Sequence, residues 1–278
     1  MININSSLKT PEARLTDINT NEALYYLGYK GGDIPDDIAA SIEKAKAEVM
    51  KAAVPRGVMR VFDVTAGCEE SRGERSGEKF GELSKDGIAE NEDSRESNVQ
   101  NAEFAELNSR GGRQPDGLGF ELKGGDVQKL LKECGKVILF AVTLGSGIDM
   151  LIKRRSRTDM AEAVIIDSCA STAIENVCDN FCADLAAEAA PYFLTDRFSP
   201  GYGDLPFEQQ TDFCRALDIE RRIGVTLTPG GLMLPQKSVT AIVGIADTEQ
   251  RMRFRGCAYC SSFKNCSYRK NGQSCGRQ

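Results

Sequence analysis

The sequence predicts an α+β fold, with helices arranged around a twisted antiparallel sheet. Three observations lead there. Residues 58–64 and 136–142 have the length and the β-branched, apolar content of strands. Residues 35–53 and 159–190 carry apolar positions at helical spacing. Helices and short strands interleave without a repeating βαβ unit, which separates this chain from doubly wound parallel folds.

Taken in order, residues 20–28 (TNEALYYLG) read as a short helix closed by Gly28. Pro35 suits the first turn of the next helix, along which Ile38, Ile42, Ala45, Val49 and Ala53 recur on one face. A strand over 58–64 follows. Residues 66–120 then change character. They hold 7 Lys and Arg against 13 Asp and Glu, a net of −6 that equals the charge of the whole chain. Such a stretch buries too little apolar surface to offset its ordering entropy. It is predicted to be a disordered acidic insertion, with a transient helix near 99–107. A passive linker and a regulatory segment both fit that composition.

Order is expected to resume near Phe120. Asp126 is placed to cap a helix carrying Val127, Leu130, Leu131 and Cys134. KVILFAV, residues 136–142, is a buried-strand pattern running into Thr143-Leu144-Gly145-Ser146-Gly147. This GxG lacks the third glycine and the distant acidic residue of a dinucleotide fingerprint, so it reads as a tight turn. Asp159 and Glu162 match a capping box. The long helix that follows carries an apolar stripe of Ile174, Val177, Cys178, Phe181, Cys182 and Leu185. Cys178 and Cys182 share that stripe, and core packing is the reading preferred to a metal pair. Further on, 207–217 is expected to be helical. Residues 223–227 and 239–245 are expected as strands, with a turn at Thr228-Pro229-Gly230-Gly231.

Composition removes several chemistries. The chain of 278 residues has no histidine and no tryptophan. A Ser-His-Asp triad, an imidazole base and a His-ligated zinc are therefore excluded. No apolar run approaches 18 residues, and the first residues lack the basic-then-apolar layout of a signal peptide. A cytoplasmic protein with no membrane contact is the expectation.

The segment 197–206, RFSPGYGDLP, sits between the long helix and the later strands. Its two prolines and two glycines make it a shaped loop. Arg197 supplies a fixed positive charge and Tyr202 an aromatic face, which suits a small polar ligand. An ordinary connection whose Pro and Gly only turn the chain is the alternative.

Arg197-Phe198-Ser199-Pro200-Gly201-Tyr202 resembles the R-x-x-P-G-Y loop of the activation domain of cobalamin-dependent methionine synthase. TLGSGID (143–149), the helix IIDSCASTAIENVCDNF (165–181) and VTLTPGGLMLPQKSVTAIVG (225–244) extend the resemblance on both sides. It covers roughly residues 20–64 and 120–250, and is greatest to free-standing relatives with a Cys-rich tail. The resemblance implies an α+β activation-domain fold that binds S-adenosylmethionine, with the 143–147 turn lining the ligand pocket. In that family the domain holds S-adenosylmethionine over the cobalt while one electron and a methyl group return inactive cobalamin to methylcobalamin. It implies Arg197, Phe198, Ser199, Pro200, Gly201 and Tyr202 as ligand-binding residues, with Arg197 holding the methionine carboxylate. Glu175 resembles the helix glutamate that touches the ligand; a surface glutamate is the alternative. Lys237 and Ser238 suit either ligand contact or a solvated strand start. The family's N-terminal D-W-T-P-F-F segment and the tyrosine after its KSV-type strand have no counterpart; residues 244–250 read GIADTEQ. The modules for homocysteine, folate and cobalamin are also missing, so the chain by itself is no complete methionine synthase. A corrinoid-carrying methionine synthase or methyltransferase partner acting in trans is implied.

Residues 251–278 contain seven Lys and Arg, no Asp or Glu, and Cys257, Cys260, Cys266 and Cys275. Four thiolates at short spacing are a metal-site pattern, for an iron–sulfur cluster or zinc, with reactive metal-free thiols as the alternative. The positive tail suits an acidic electron donor such as a flavodoxin or ferredoxin. No nucleic-acid motif accompanies it. An iron–sulfur electron-transfer protein and a zinc-stabilised binding module, each reusing the fold without S-adenosylmethionine, are the rival functions.

Overall fold

The computed structural model describes residues 7–29, 34–65 and 113–249. Its centre is a five-stranded antiparallel sheet in the order β2-β1-β3-β7-β4. The three long strands are β1 (Arg56–Thr65), β3 (Cys134–Thr143) and β7 (Ser238–Ala246). β1 pairs with β3 from Arg56↔Thr143 to Asp63↔Lys136, and β3 pairs with β7 from Thr143↔Ser238 to Cys134↔Ala246. The edges are two-residue strands, β2 (Gln114–Pro115) and β4 (Phe193–Leu194). The expected α+β class with an antiparallel sheet is what the structure shows.

Both faces of this sheet are covered. Met59, Val61, Ile138, Phe140, Val142, Ala241 and Val243 face one core. Over it lie α1 (Thr20–Tyr26), α2 (Asp36–Ala52), α4 (Ser146–Arg155) and the 30-residue α5 (Met160–Ala189). Val58, Phe62, Val137, Leu139, Ala141 and Ile242 face the other core. That side is closed by α3 (Gly125–Leu131), α6 (Gln210–Ala216) and α7 (Ile219–Ile223). Two covered faces explain why residues 136–142 read as a continuous apolar run instead of alternating.

The helices follow their sequence signals closely, with informative exceptions. Pro35 is the N-cap of α2, and Gly28 follows α1 at φ 84°. Asp159 accepts the Glu162 N–H at 3.0 Å, one half of the capping box. The Glu162 carboxylate instead pairs with Lys44 at 2.6 Å and Arg155 at 2.9 Å, tying α5 to α2 and α4. The Gly145 and Gly147 turn serves packing: a Cβ on Gly147 would stand 2.5 Å from the Ala52 carbonyl oxygen.

Three expectations are corrected. Asp126 does not cap α3; Gly124 is the N-cap, and the caps come from a remote carboxylate described below. Residues 219–223 form helix α7, closed by left-handed Asp218 and Gly224, so only Thr226–Leu227 of the expected 223–227 strand is extended, as β5. Ile223 looks like a strand residue by type, but its spacing of four from Ile219 buries both on one helical face. β5 pairs with β6 (Met233–Leu234) across the 228–231 turn. The insertion expected over 66–120 ends early: Gln114–Pro115 pairs with Val64 and Thr65, and Leu118 is buried. The rest of that insertion, 66–112, lies outside the described residues, as do residues 251–278 with Cys257, Cys260, Cys266 and Cys275.

Candidate functional site

After β4 the chain keeps to the edge of β7. Thr195 N–H donates to the Gly244 carbonyl at 3.0 Å, and Phe198 and Ile242 exchange both backbone bonds at 3.0 and 2.8 Å. Extended backbone sends neighbouring side chains to opposite faces. Phe198 therefore turns into the second core, 1% exposed, while Arg197 turns toward α5 on the other side. The loop then folds on itself. Tyr202 N–H donates to the Ser199 carbonyl at 3.0 Å and Gly201 N–H to the Leu205 carbonyl at 2.9 Å. Gly201 takes φ 85°, which L side chains avoid. Tyr202 packs edge-on against Phe198 at 5.6 Å between ring centroids and remains 46% exposed.

Arg197 and Glu175, singled out separately from the sequence, meet. Arg197 Nη2 donates to Glu175 Oε2 at 3.0 Å, and Nη1 to Asp179 Oδ1 at 2.6 Å. The Arg197 pKa is raised further above the ordinary arginine value, with burial opposing the charge and the Asp179 and Glu175 carboxylates beside it favouring the cation. Arg197 is thus a permanent cation. Cys178 is wholly buried beneath it, and burial pushes that thiol up, so it is a protonated core group. Among the described residues no group of His, Cys, Asp and Glu could hold a metal ion.

Asp179 was not singled out from the sequence, nor were Asp167 and Ser171. The signal was present: Asp167, Ser171, Glu175 and Asp179 recur every fourth residue, one ridge of α5. Lys237 reaches the upper part of that ridge, 2.8 Å from Asp167 Oδ1 and 2.9 Å from Ser171 Oγ. Ser238 is turned inward, its hydroxyl bonding Thr143 Oγ1 at 2.8 Å and the Pro235 carbonyl at 2.7 Å. Two cations from different loops thus lie along one helix ridge. Three carboxylates and two cations leave it one negative charge in excess.

The loop also fastens a distant helix. Asp204 accepts the N–H groups of Gly125 at 2.7 Å and Asp126 at 3.1 Å, supplying the α3 caps. Gln209, just beyond the loop, accepts the Lys123 N–H at 2.9 Å and donates to the Glu121 carbonyl at 2.6 Å. Beside it opens a cleft of about 460 Å³ lined by Phe120, Glu121, Lys123, Pro206, Glu208, Gln209 and Asp212.

No protein-family model matches the chain, and no curated protein matches it. Among solved structures, it is similar to one described as the MetH reactivation domain bound to AdoHcy. The identity is 15% and the TM-score 0.50, over 97% of this chain and 87% of that one. Among the described residues no helix is long and apolar enough to cross a membrane. At that identity the likeness speaks to architecture, and the conclusion is one of architecture: this chain has the α+β fold of the methionine synthase reactivation domain.

Proposed function

We propose that this chain binds S-adenosylmethionine and assists the reductive methylation of cobalamin in a corrinoid methyltransferase, acting in trans. The observation that carries the reading is the meeting of Arg197 and Glu175, which the edge pairing of Phe198 with Ile242 sets in place. The solved structure with this fold holds AdoHcy, the demethylated form of the same ligand.

In this reading Arg197 takes the ligand carboxylate and Glu175 the ammonium, while the exposed ring of Tyr202 offers a face for the nucleoside. Ser199, Pro200 and Gly201 shape the backbone around it, and Phe198 holds the loop to the core. The corrinoid of the partner supplies the nucleophile, so this chain contributes position.

Calorimetric titration of the anaerobically purified protein with S-adenosylmethionine tests the reading. Saturable binding that is lost in Arg197→Ala is the expected result; binding unchanged by that substitution overturns it. The visible spectrum of the same sample reports whether Cys257, Cys260, Cys266 and Cys275 hold an iron–sulfur cluster.

A further inference from the structure

Both arms of the Arg197 guanidinium are taken by the chain's own carboxylates, Nη1 by Asp179 and Nη2 by Glu175. The guanidinium itself is confined, its side chain 21% exposed between α5 and the edge of β7. An incoming carboxylate that takes the end-on fork across Nη1 and Nη2 therefore competes with them. The two differ in how readily they leave. The Asp179 side chain is 67% exposed, against 35% for Glu175. Rotating Asp179 outward costs less than moving Glu175, because its carboxylate already stands mostly in water. Moving Glu175 would strip a half-buried carboxylate from its cation.

We propose that Asp179 is a displaceable occupant of the Arg197 site, an internal carboxylate that competes with a ligand carboxylate for the Nη1 arm. The inference rests on the S-adenosylmethionine reading and adds a specificity determinant to it. Asp179 acts through Arg197 and is a positioning residue. It lowers affinity for ligands that need the Nη1 arm and leaves untouched those that lack a carboxylate. It also keeps the cation paired when no ligand is present, so that Arg197 is not left facing Glu175 alone.

The test is calorimetry on the full chain with two probes, S-adenosylmethionine and 5′-deoxy-5′-methylthioadenosine, which shares the nucleoside thioether but has no carboxylate. Asp179→Asn is expected to bind S-adenosylmethionine about two- to fivefold more tightly and methylthioadenosine unchanged. Asp184→Asn removes a charge from the same helix, where Asp184 pairs with Arg14, and is expected to tighten neither probe. If S-adenosylmethionine still binds but Asp179→Asn holds it equally or less tightly, the displacement idea is wrong and the ligand reading stands. Tightening of both probes alike, or by Asp184→Asn as well, also overturns it, since the gain would then not come from a freed arm of Arg197. Absence of S-adenosylmethionine binding to wild type and variant together overturns both proposals.

Discussion

Asp204 accepts the backbone N–H of Gly125 at 2.7 Å, across 79 positions of sequence. A residue of the candidate ligand loop thereby caps a helix on the opposite core, and loop position and helix stability become one quantity.

Asp204→Ala should therefore destabilise the protein by about 1 kcal/mol, the usual loss of an N-cap. For a chain of this size that lowers the melting temperature by about 2–4 °C. Calorimetric or circular-dichroism melting checks it. An unchanged melting temperature would mean that water or another group replaces the cap.

Arg197→Lys keeps the charge of the site but not its geometry. A single ammonium cannot reach Glu175 and Asp179 as two parallel arms do. S-adenosylmethionine affinity is expected to fall about tenfold in Arg197→Lys and further in Arg197→Ala, measured by titration.

Gly57 lies in β1, where a Cβ would stand 2.5 Å from Phe181 Cε2 of α5. Gly57→Ala should destabilise by about 1–3 kcal/mol through overpacking. Adding Phe181→Leu should cost less in the Gly57→Ala background than in wild type, because the two changes share one space. Denaturant midpoints of the two single variants and the double variant give the comparison.

Burial pushes the Cys169 and Cys214 thiols up from 9.0 to about 11. The folded state thus binds these protons more tightly than the unfolded state. Their contribution to stability is complete below pH 9 and is lost as pH rises from about 9 to 11. Urea midpoints should decline across that window, and less steeply in Cys169→Ala or Cys214→Ala relative to each variant's own value at pH 8. At pH 8 neither thiol should react with a maleimide until the protein unfolds.

Local pattern carried most of the architecture. Ile42, Ala45 and Val49 announced α2, and KVILFAV announced β3, because a side chain's face depends only on helical or strand period. The loop was legible from Pro200, Gly201 and Gly203, whose backbone preferences are their own. Where residue type and period disagreed, as at Ile223, type misled. The α5 ridge of Asp167, Ser171, Glu175 and Asp179 was visible as a four-residue repeat, yet nothing local said which cations would meet it.

By itself the sequence determined the long elements α2, α5, β1, β3 and β7, the α+β class and the candidacy of Arg197, Tyr202 and Glu175. Tertiary structure alone decided that Arg197 lands on both Glu175 and Asp179, that Lys237 joins the same ridge, and that Asp204 caps α3 in place of Asp126. The physical reason is distance along the chain. These contacts join residues 18 to 79 positions apart, set by how the chain paired along the edge of β7 passes α5 and then loops to α3. Local periodicity says which face a residue is on, and only packing says what stands opposite it.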